Sequence, residues 1–409
     1  MSREYFDHRT FCGPFIGSDP SPDLALAVII PAFAESELIH TLESLFECDL
    51  PDSHTEVLII INDSELSDSE VKTSNKVVYA KVNDWIESCR KDRISFYANY
   101  FSDLPAKKAG VGLARKIGMD EAARRFKTIG KDGLLINLDA DCRVRSDYLV
   151  TIFRYFLNHP EKECASIHFE HPTEGSEFPQ VVYESVIQYE LHLRYYRQAQ
   201  IYTGLPYAFH TVGSAMAVRS EAYLAQGGMN TRQAGEDFYF MHKYTRIGKC
   251  GSIAETAVFP SPRISGRVPF GTGKAITRAL KGYEQKTYNL LSFEALCPWV
   301  GNVEAEPSTP LLSFLDENNW ESVLDDIKRN TASQSSFRKR FFQWFDAFKL
   351  IKYLHYMRDN FYSDVLVRGE ATKLARKVYQ ANLTGWSTSS ILNWYRERDL
   401  ATSGEPVVL

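Results

Sequence analysis

The fold is decided by residues 134–141, which read Leu-Leu-Ile-Asn-Leu-Asp-Ala-Asp. The first five positions form a short apolar run with the length of a buried β-strand, and Asp139 and Asp141 follow it directly. Ligands of open α/β sheets bind beyond the carboxyl ends of the strands. The stretch therefore predicts an α/β fold with an acidic site at the end of this strand.

The chain around this stretch alternates short β-branched apolar runs with amphipathic segments from Leu24 to about Pro260. This alternation is typical of βαβ units that build a mostly parallel sheet. The first strand is predicted to stop at Pro31, because proline donates no hydrogen bond to a sheet. Strands are predicted at residues 25–30, 57–61, 94–97 and 134–138, and helices at residues 35–46, 77–91 and 112–126.

The chain divides into three predicted regions: an N-terminal extension (1–23), an α/β domain (24–264), and a loop followed by a helical C-terminal subdomain (265–409). The longest helical periodicity in the third region runs from Phe337 to Tyr362. Its first part mixes basic and aromatic residues, which indicates a helix that packs its aromatic face on the α/β domain. Peripheral membrane association is the alternative.

Composition excludes several classes of protein. A net charge of −5 over 409 residues, without a long basic run, gives no surface for nucleic acid. The 7 cysteines are scattered and form no C-x-x-C pair, so they indicate neither a disulfide framework nor a zinc site. The charged N-terminus lacks the apolar core of a secretion signal, and no run approaches the ~20 apolar residues of a membrane span. We expect a cytoplasmic protein.

The two aspartates at the end of the predicted strand indicate a divalent cation. Neighbouring carboxylates repel one another unless a cation neutralises them, and hard oxygen ligands together with phosphate oxygens select Mg²⁺ or Mn²⁺. A diphosphate is a natural further ligand of such a cation. An isolated D-x-D is also typical of a polar turn, so the motif needs its context.

That context is an ordered set of five further motifs. They are Val-Ile-Ile-Pro-Ala-Phe-Ala-Glu (28–35), Ile-Ile-Asn-Asp-Ser (60–64), Lys-Ala-Gly-Val-Gly-Leu-Ala-Arg-Lys-Ile-Gly (108–118), Gly-Gly-Met (227–229) and Gly-Glu-Asp (235–237). In this order, with the aspartate motif between the third and the fourth, they resemble the motifs of family 2 glycosyltransferases.

The resemblance implies the GT-A fold, a Rossmann-like nucleotide-diphospho-sugar transferase. It also implies a divalent metal and inverting transfer of a sugar from a nucleotide-sugar donor, a UDP-sugar as first choice, to a hydroxyl acceptor. The acceptor class, a glycan, a lipid-linked glycan or a small molecule, is left open.

The resemblance assigns the first two motifs to the nucleotide. Pro31 and Phe33 would lie against the base, and Asp63 would accept hydrogen bonds from the base or the ribose. Glu35 is expected nearby. The alternatives are structural: Pro31 ends a strand, Phe33 belongs to the core, and Asp63 caps a turn.

Cations and carboxylates further along the chain complete the predicted donor site. Lys108 and Arg115 would reach the base or the phosphates, since cations at a glycine-containing helix start suit anionic ligands. The family pattern gives Asp141 the direct metal contact and Asp139 a metal or ribose contact. The alternative for Lys108 and Arg115 is that either is a solvent-exposed charge on a helix.

The Gly-Glu-Asp motif supplies the predicted general base. Asp237 would take the proton of the acceptor hydroxyl, and Glu236 would position the acceptor or support Asp237. Adjacent carboxylates disfavour double ionisation, so one of them is expected to have a raised pKa. Alternatively the pair caps a helix that begins at Phe238.

The loop of residues 263–274 contains cations, prolines and glycines, which suit a lid that orders over a diphosphate. Arg267 is the predicted donor-binding residue of this loop. A plain interdomain linker is the alternative.

The sequence departs from the family pattern at Ala34 and Lys116, where asparagine is usual, and at Asn62, where an acidic residue is usual. These departures leave base specificity open and motivate a second hypothesis, a catalytically degenerate nucleotide-binding or scaffold protein in polysaccharide assembly. A nucleotidyltransferase is a third hypothesis. Such enzymes usually carry a glycine-rich loop after the first strand, where this chain has Pro31 to Ala34.

Overall fold

The computed structural model describes residues 2–232, 235–264 and 271–402. Eight strands form one mixed sheet in the order β3-β2-β1-β4-β7-β6-β8-β5, and helices cover it on both sides. Strands β3, β2, β1 and β4 lie side by side in that order and are all parallel, whereas β7 runs antiparallel between β4 and β6. The fold class predicted from the sequence, an α/β sheet flanked by helices with a helical C-terminal region, is confirmed.

The strands of the sheet are β1 (Leu24–Ala32), β2 (His54–Ser64), β3 (Ile94–Leu104), β4 (Leu134–Asn137), β5 (Cys142–Val144), β6 (Cys164–Phe169), β7 (Met216–Arg219) and β8 (Cys250–Pro260). A two-stranded ribbon adds β9 (Lys286–Thr287) and β10 (Val365–Leu366). The helices of the α/β part are α1 (Ser2–His8), α2 (Leu38–Phe46), α3 (Ser69–Ser88), α4 (Val111–Thr128), α5 (Tyr148–Asn158), α6 (Gln180–Tyr202), α7 (Ser220–Ala225) and α8 (Glu236–Thr245). Those that follow are α9 (Thr272–Leu280), α10 (Leu290–Gly301), α11 (Thr309–Glu317), α12 (Trp320–Arg329), α13 (Gln334–Trp344), α14 (Ala347–Asn360), α15 (Val367–Tyr379) and α16 (Thr388–Ala401).

Strand β1 continues through Pro31, so the prediction that this proline stops the strand is wrong. Pro31 pairs in register with Ile60 of β2, whereas the pairing of β1 with β4 ends at Ile29. The proline therefore lies past the end of the ladder on one side, where no strand needs its missing N–H group.

Several predicted boundaries shift for identifiable reasons. Helix α2 begins at Leu38 instead of residue 35, because residues 33–37 form the turn that leaves β1. The single helical run predicted at residues 337–362 is two helices, α13 and α14. The break lies at Asp346, whose carboxylate accepts a hydrogen bond from Lys349 N (2.9 Å) and caps α14.

The N-terminal extension packs on the α/β part through helix α1. Tyr5 is buried and donates a hydrogen bond to Asp120 on α4 (2.7 Å). Lys116 donates to the Tyr5 hydroxyl (3.0 Å). The departure from the family pattern at Lys116 therefore serves the docking of α1, and this side chain bonds away from the ends of the strands.

A second apolar core joins the C-terminal helices to helix α6 of the α/β part. The aromatic residues of the basic segment contribute to it, because Phe341 and Phe345 are buried against Trp299 with ring centroids 5.0 and 5.2 Å apart. The aromatic face is therefore packed mainly on α10 within the C-terminal region and not on the α/β part as predicted, although Phe342 contacts Tyr207 there (ring centroids 6.4 Å apart). Within the described part of the chain, no helix has both the length and the apolar character needed to cross a bilayer.

Candidate functional site

The carboxyl ends of β1, β2 and β4 meet at one edge of the sheet, as the motif order predicts. Asn75 on α3 joins the first two: its amide oxygen accepts from Ala34 N (2.8 Å) and its amide nitrogen donates to the Asn62 carbonyl (3.0 Å). Ala34 has a left-handed backbone with φ 49°. Asparagine, the usual residue of the family pattern at this position, adopts that conformation more readily than alanine, and here Asn75 supports it instead.

Asp63 lies just behind this edge and is fully buried. Its carboxylate accepts hydrogen bonds from Tyr100 Oη and from the backbone N–H of Asp103 (2.9 Å). It also receives the amide of Asn75 (3.3 Å). In this structure Asp63 ties β2, β3 and α3 together, and its contact with a base or ribose stays a prediction.

Arg115 joins the aspartate motif to the Gly-Glu-Asp motif. Its guanidinium donates to Asp139 (2.5 Å) and to Glu236, although Glu236 lies 121 residues along the chain from it. The Arg115 and Glu236 side chains are buried, whereas that of Asp139 is 38% exposed. Since part of the Asp139 side chain is exposed, a ligand from solvent can still reach this carboxylate.

Gly213 provides the space for the Arg115 guanidinium. A Cβ atom at this position would lie 2.4 to 2.7 Å from the guanidinium atoms, closer than nonbonded atoms approach. The backbone of the segment before β7 thus forms the wall that holds Arg115 between its two carboxylates.

Arg263 binds Asp141, the second aspartate of the motif. Its guanidinium donates to Asp141 (2.5 Å) and to the buried carboxylate of Glu35. The first and fourth strand ends are therefore joined by a cation of the loop that follows β8. Arg267, the residue predicted to bind donor from this loop, lies outside the described residues.

Glu236 and Asp237 form the first turn of α8, so the expectation of a helix start at Phe238 is wrong by two positions. Gly235 precedes the helix with φ 71°, a left-handed conformation that glycine adopts without strain. The Phe238 N–H donates to the Asp237 carboxylate (2.7 Å). Burial raises the pKa of both carboxyl groups above their ordinary values, although the positive charge of Arg115 acts to lower both pKa values.

The remaining predicted residues lie at or near the same edge. Pro31 is buried within β1, and Phe33 is half-buried in the turn that follows. Lys108 is exposed in the loop before α4. Their contacts with a nucleotide stay predictions.

The donor set fits a divalent cation that arrives together with a diphosphate. No group of three or more metal-ligating side chains is found among residues 2–232, 235–264 and 271–402, so the described residues build no complete protein cage. Mg²⁺ and similar cations are often held by one or two carboxylates plus substrate phosphates. Asp139 and Asp141 already bind cationic groups at the strand end and retain exposed side-chain surface (38% and 20%), which suits this partial coordination.

Two residues of the site were not identified from the sequence. Asn75 is a buried polar residue on a helix face, and a polar interruption of an otherwise apolar face is the signal that marks it. Arg263 stood within the predicted lid loop, but nothing in the loop sequence separates it from the other cations there. Its proximity to Asp141 depends on where β8 ends in the sheet.

The fold and the site together define an α/β protein with a cluster of carboxylates, bridged by two arginines, at the carboxyl edge of its sheet. No protein-family model matches the chain, and no curated protein matches it. Among solved structures, S. aureus TarS 1-349 is similar over 58% of this chain and 60% of its own, with 15% identity and a TM-score of 0.37. In that comparison the chain spans three fifths of the length of its neighbour.

Two ligand complexes are similar to the same degree. The complex of S. aureus TarS 1-349 with UDP-GlcNAc matches over 74% of this chain and 81% of its own, with 12% identity and a TM-score of 0.40. The mannosyltransferase PcManGT from Pyrobaculum calidifontis in complex with GDP-Man and Mn²⁺ matches over 85% and 93%, with 14% identity and a TM-score of 0.39. At these identities no residue role passes from those proteins to this chain.

Proposed function

We propose that this protein is a glycosyltransferase of the family 2 type. It moves a sugar from a nucleotide-diphosphate donor, with a UDP-sugar as first choice, to a hydroxyl acceptor with inversion. One observation carries the proposal: the guanidinium of Arg115 bonds both to Asp139 of the aspartate motif and to Glu236 of the Gly-Glu-Asp motif. One side chain therefore contacts both the motif that would bind the donor diphosphate and the motif that contains the candidate general base.

At the donor end, Asp139 and Asp141 would hold the cation. When bound, Mg²⁺ or Mn²⁺ neutralises charge on the diphosphate leaving group. The turn after β1, with Phe33 and Glu35, and the exposed Lys108 border the space in which a nucleotide would lie. Arg115 keeps Asp139 fixed relative to Glu236 and the neighbouring general base Asp237. The donor sugar would therefore be held in a defined position.

At the acceptor end, Asp237 would accept the proton of the attacking hydroxyl. The oxygen attacks the anomeric carbon from the face opposite the leaving nucleotide, and a single displacement of this kind inverts the centre. The raised pKa of Asp237 makes it a better proton acceptor than an exposed aspartate. Glu236 accepts a hydrogen bond from Arg115. This ion pair would stay in place while Asp237 gains and loses the proton.

Ligand-induced stabilisation tests the donor assignment. UDP, GDP, UDP-GlcNAc and GDP-Man are added to the protein with and without Mn²⁺, and the melting temperature is measured. A ligand that binds only the folded state increases the free energy of unfolding, by about 2.7 kcal/mol at a concentration of 100 times its Kd, and so raises the melting temperature. Failure of both UDP and GDP to stabilise the protein in the presence of metal contradicts the donor assignment.

Turnover tests the reaction itself. Hydrolysis of the stabilising nucleotide sugar is measured for the wild type, Asp141→Ala and Asp237→Asn, with Asp84→Ala as the control because Asp84 is exposed on α3. We expect Asp141→Ala to lose metal-dependent binding and turnover, and Asp237→Asn to lose turnover alone. Metal-dependent UDP binding without turnover of any nucleotide sugar by the wild type would support the binding-only alternative instead.

A further inference from the structure

The position of Arg263 carries a further inference. This arginine follows β8, and two positions before it the backbone N–H of Ser261 donates to the carbonyl of Asp141 (3.2 Å). The backbone is thus anchored beside the aspartate motif, while the side chain reaches Asp141 and Glu35. Arg263 is the described cation in direct contact with Asp141, the residue to which the metal contact is assigned.

The two arginines of the site differ in how firmly they are enclosed. The Arg115 side chain is 3% exposed and lies on a long helix against Gly213, whereas the Arg263 side chain is 26% exposed and lies in a loop. Moving Arg115 would leave the buried Glu236 without its partner. The Arg263 side chain is the more exposed of the two and both of its carboxylate partners keep some exposed surface, so it is the more readily displaced cation of the pair.

We propose that Arg263 is a diphosphate-binding residue that rests on Asp141 and Glu35 in the free protein and moves to the donor diphosphate when a divalent cation binds Asp141. The inference rests on the proposed function, because it requires a nucleotide-diphosphate ligand. The sequence predicted a donor-binding cation in this loop at Arg267, and the inference gives that role to Arg263.

Electrostatics gives the exchange its direction. A divalent cation and a guanidinium compete for the same Asp141 carboxylate, and the smaller, doubly charged ion gains more from it at contact distance. Displacing a half-buried guanidinium into a site without an anion is unfavourable. The diphosphate removes this cost, since a guanidinium donates to phosphate oxygens with the same paired geometry as to carboxylates. Metal and diphosphate should therefore bind together better than either does alone.

Opposite changes in two affinities distinguish this role from a purely structural one. Titration calorimetry with MnCl₂ alone, and with UDP at saturating Mn²⁺, is carried out on the wild type and on Arg263→Met, Arg263→Lys and Arg143→Met. Arg143 is exposed on the nearby strand β5 and serves as the control. We expect Arg263→Met to bind Mn²⁺ alone several-fold more tightly. Its UDP affinity should fall about tenfold or more, the loss expected for a charge-assisted hydrogen bond.

Arg263→Lys keeps the charge without the paired donors, so its UDP affinity should lie between those of the wild type and Arg263→Met, which also covers the case that the methionine variant folds poorly. Equal or weakened Mn²⁺ binding in Arg263→Met, or unchanged UDP binding in both variants, overturns the inference. A wild type that binds neither Mn²⁺ nor UDP contradicts the proposed function itself, so the two failures are distinguishable.

Discussion

Arg115 is the residue on which the site depends, because it neutralises two carboxylates at once. Its pairing with Glu236 is buried on both sides, and its pairing with Asp139 is open to solvent on one side. Removing one partner of a buried ion pair is costly chiefly because the other charge is left behind. The arginine is therefore expected to matter for stability as well as for donor binding.

Replacing Arg115 with methionine keeps most of the side-chain volume and removes the charge. We expect the free energy of unfolding to fall by about 3–5 kcal/mol, because Glu236 would be left buried without its partner. Urea denaturation at pH 7 measures the change, with Arg154→Met on the exposed face of α5 as the control. A loss no larger than that of the control would show that Glu236 does not depend on Arg115.

Asp237→Asn separates catalysis from stability. We expect kcat to fall about 10²–10⁴-fold, the usual contribution of a general base, with little change in UDP affinity. The pKa of Asp237 is raised by burial, so ionising it costs more in the folded than in the unfolded protein. This cost is absent below the ordinary pKa of 3.8 and grows as pH rises through it.

The asparagine variant should therefore be at least as stable as the wild type at pH 7, and the two should converge in acid. Melting temperatures measured from pH 3 to pH 8 check this expectation. A variant that melts well below the wild type at neutral pH would instead indicate that the Asp237 carboxylate is structural.

At the scale of elements, the sequence predicted the type and order of the strands and helices better than their ends. Strand β2 extends back to His54, although its apolar run begins at Val57. The extension contains Glu56, which is buried and receives two hydrogen bonds of 2.6 Å from Arg125 of α4. Apolar periodicity ended the predicted strand at this polar residue, since only the tertiary structure supplies its partner.

The contact of α4 with the sheet is set by Gly118. A Cβ atom at this position would lie 2.6 Å from Ile29 Cγ2 and 3.0 Å from Ile60 Cγ1, so an added methyl group would push the helix off β1 and β2. Gly118→Ala should destabilise the protein by about 1–3 kcal/mol through this overpacking. Thermal or urea unfolding measures the change.

Gly369→Ala is the matched control, because Gly369 lies in α15 and nothing is within 4 Å of a Cβ atom built there. Helix propensity alone should make that variant more stable by up to about 1 kcal/mol. Opposite signs for the two substitutions are the expected result. A stabilising Gly118→Ala would mean that α4 lies farther from the sheet than the structure has it.

At the scale of the whole molecule, the last helix is held on the α/β part by a buried ionic network around Asp399. This carboxylate receives hydrogen bonds from Arg194 (2.8 Å) and Arg197 (2.8 Å) of α6 and contacts His210 Nε2 (2.8 Å). Although burial acts in the opposite direction, these neighbours hold the pKa of Asp399 well below its ordinary value. Helix α16 thus docks through charge as well as through apolar packing.

Asp399→Asn should lower the free energy of unfolding by about 3–5 kcal/mol at pH 7, since two buried arginines would lose their shared counter-charge. A group with a depressed folded pKa contributes stability above its unfolded value and loses that contribution as pH falls below it. The difference between wild type and variant should therefore shrink below about pH 3.8. Urea unfolding followed by tryptophan fluorescence at pH 3 and pH 7 tests both expectations. Glu397→Gln on the exposed side of the same helix is the control.

The sequence by itself determined the α/β class, the order of the motifs and their place at the carboxyl ends of the first, second and fourth strands. These features follow from local periodicity and from the geometry of parallel sheets. The domain boundaries near residues 24 and 265 rest on a change of sequence character, and the residue roles in donor binding rest on the family resemblance. These boundaries and roles, like the metal, stay proposals.

The tertiary structure alone decided which side chains meet. Asn75 bonds across 41 residues to Ala34, Arg115 across 121 to Glu236, and Arg263 across 122 to Asp141. Such contacts depend on strand order, on where each strand ends and on the direction of each loop, none of which is written in local periodicity. For the same reason the sequence identified the carboxylates of the site, and only the fold showed that Arg115 binds Asp139 and Glu236 while Arg263 binds Asp141 and Glu35.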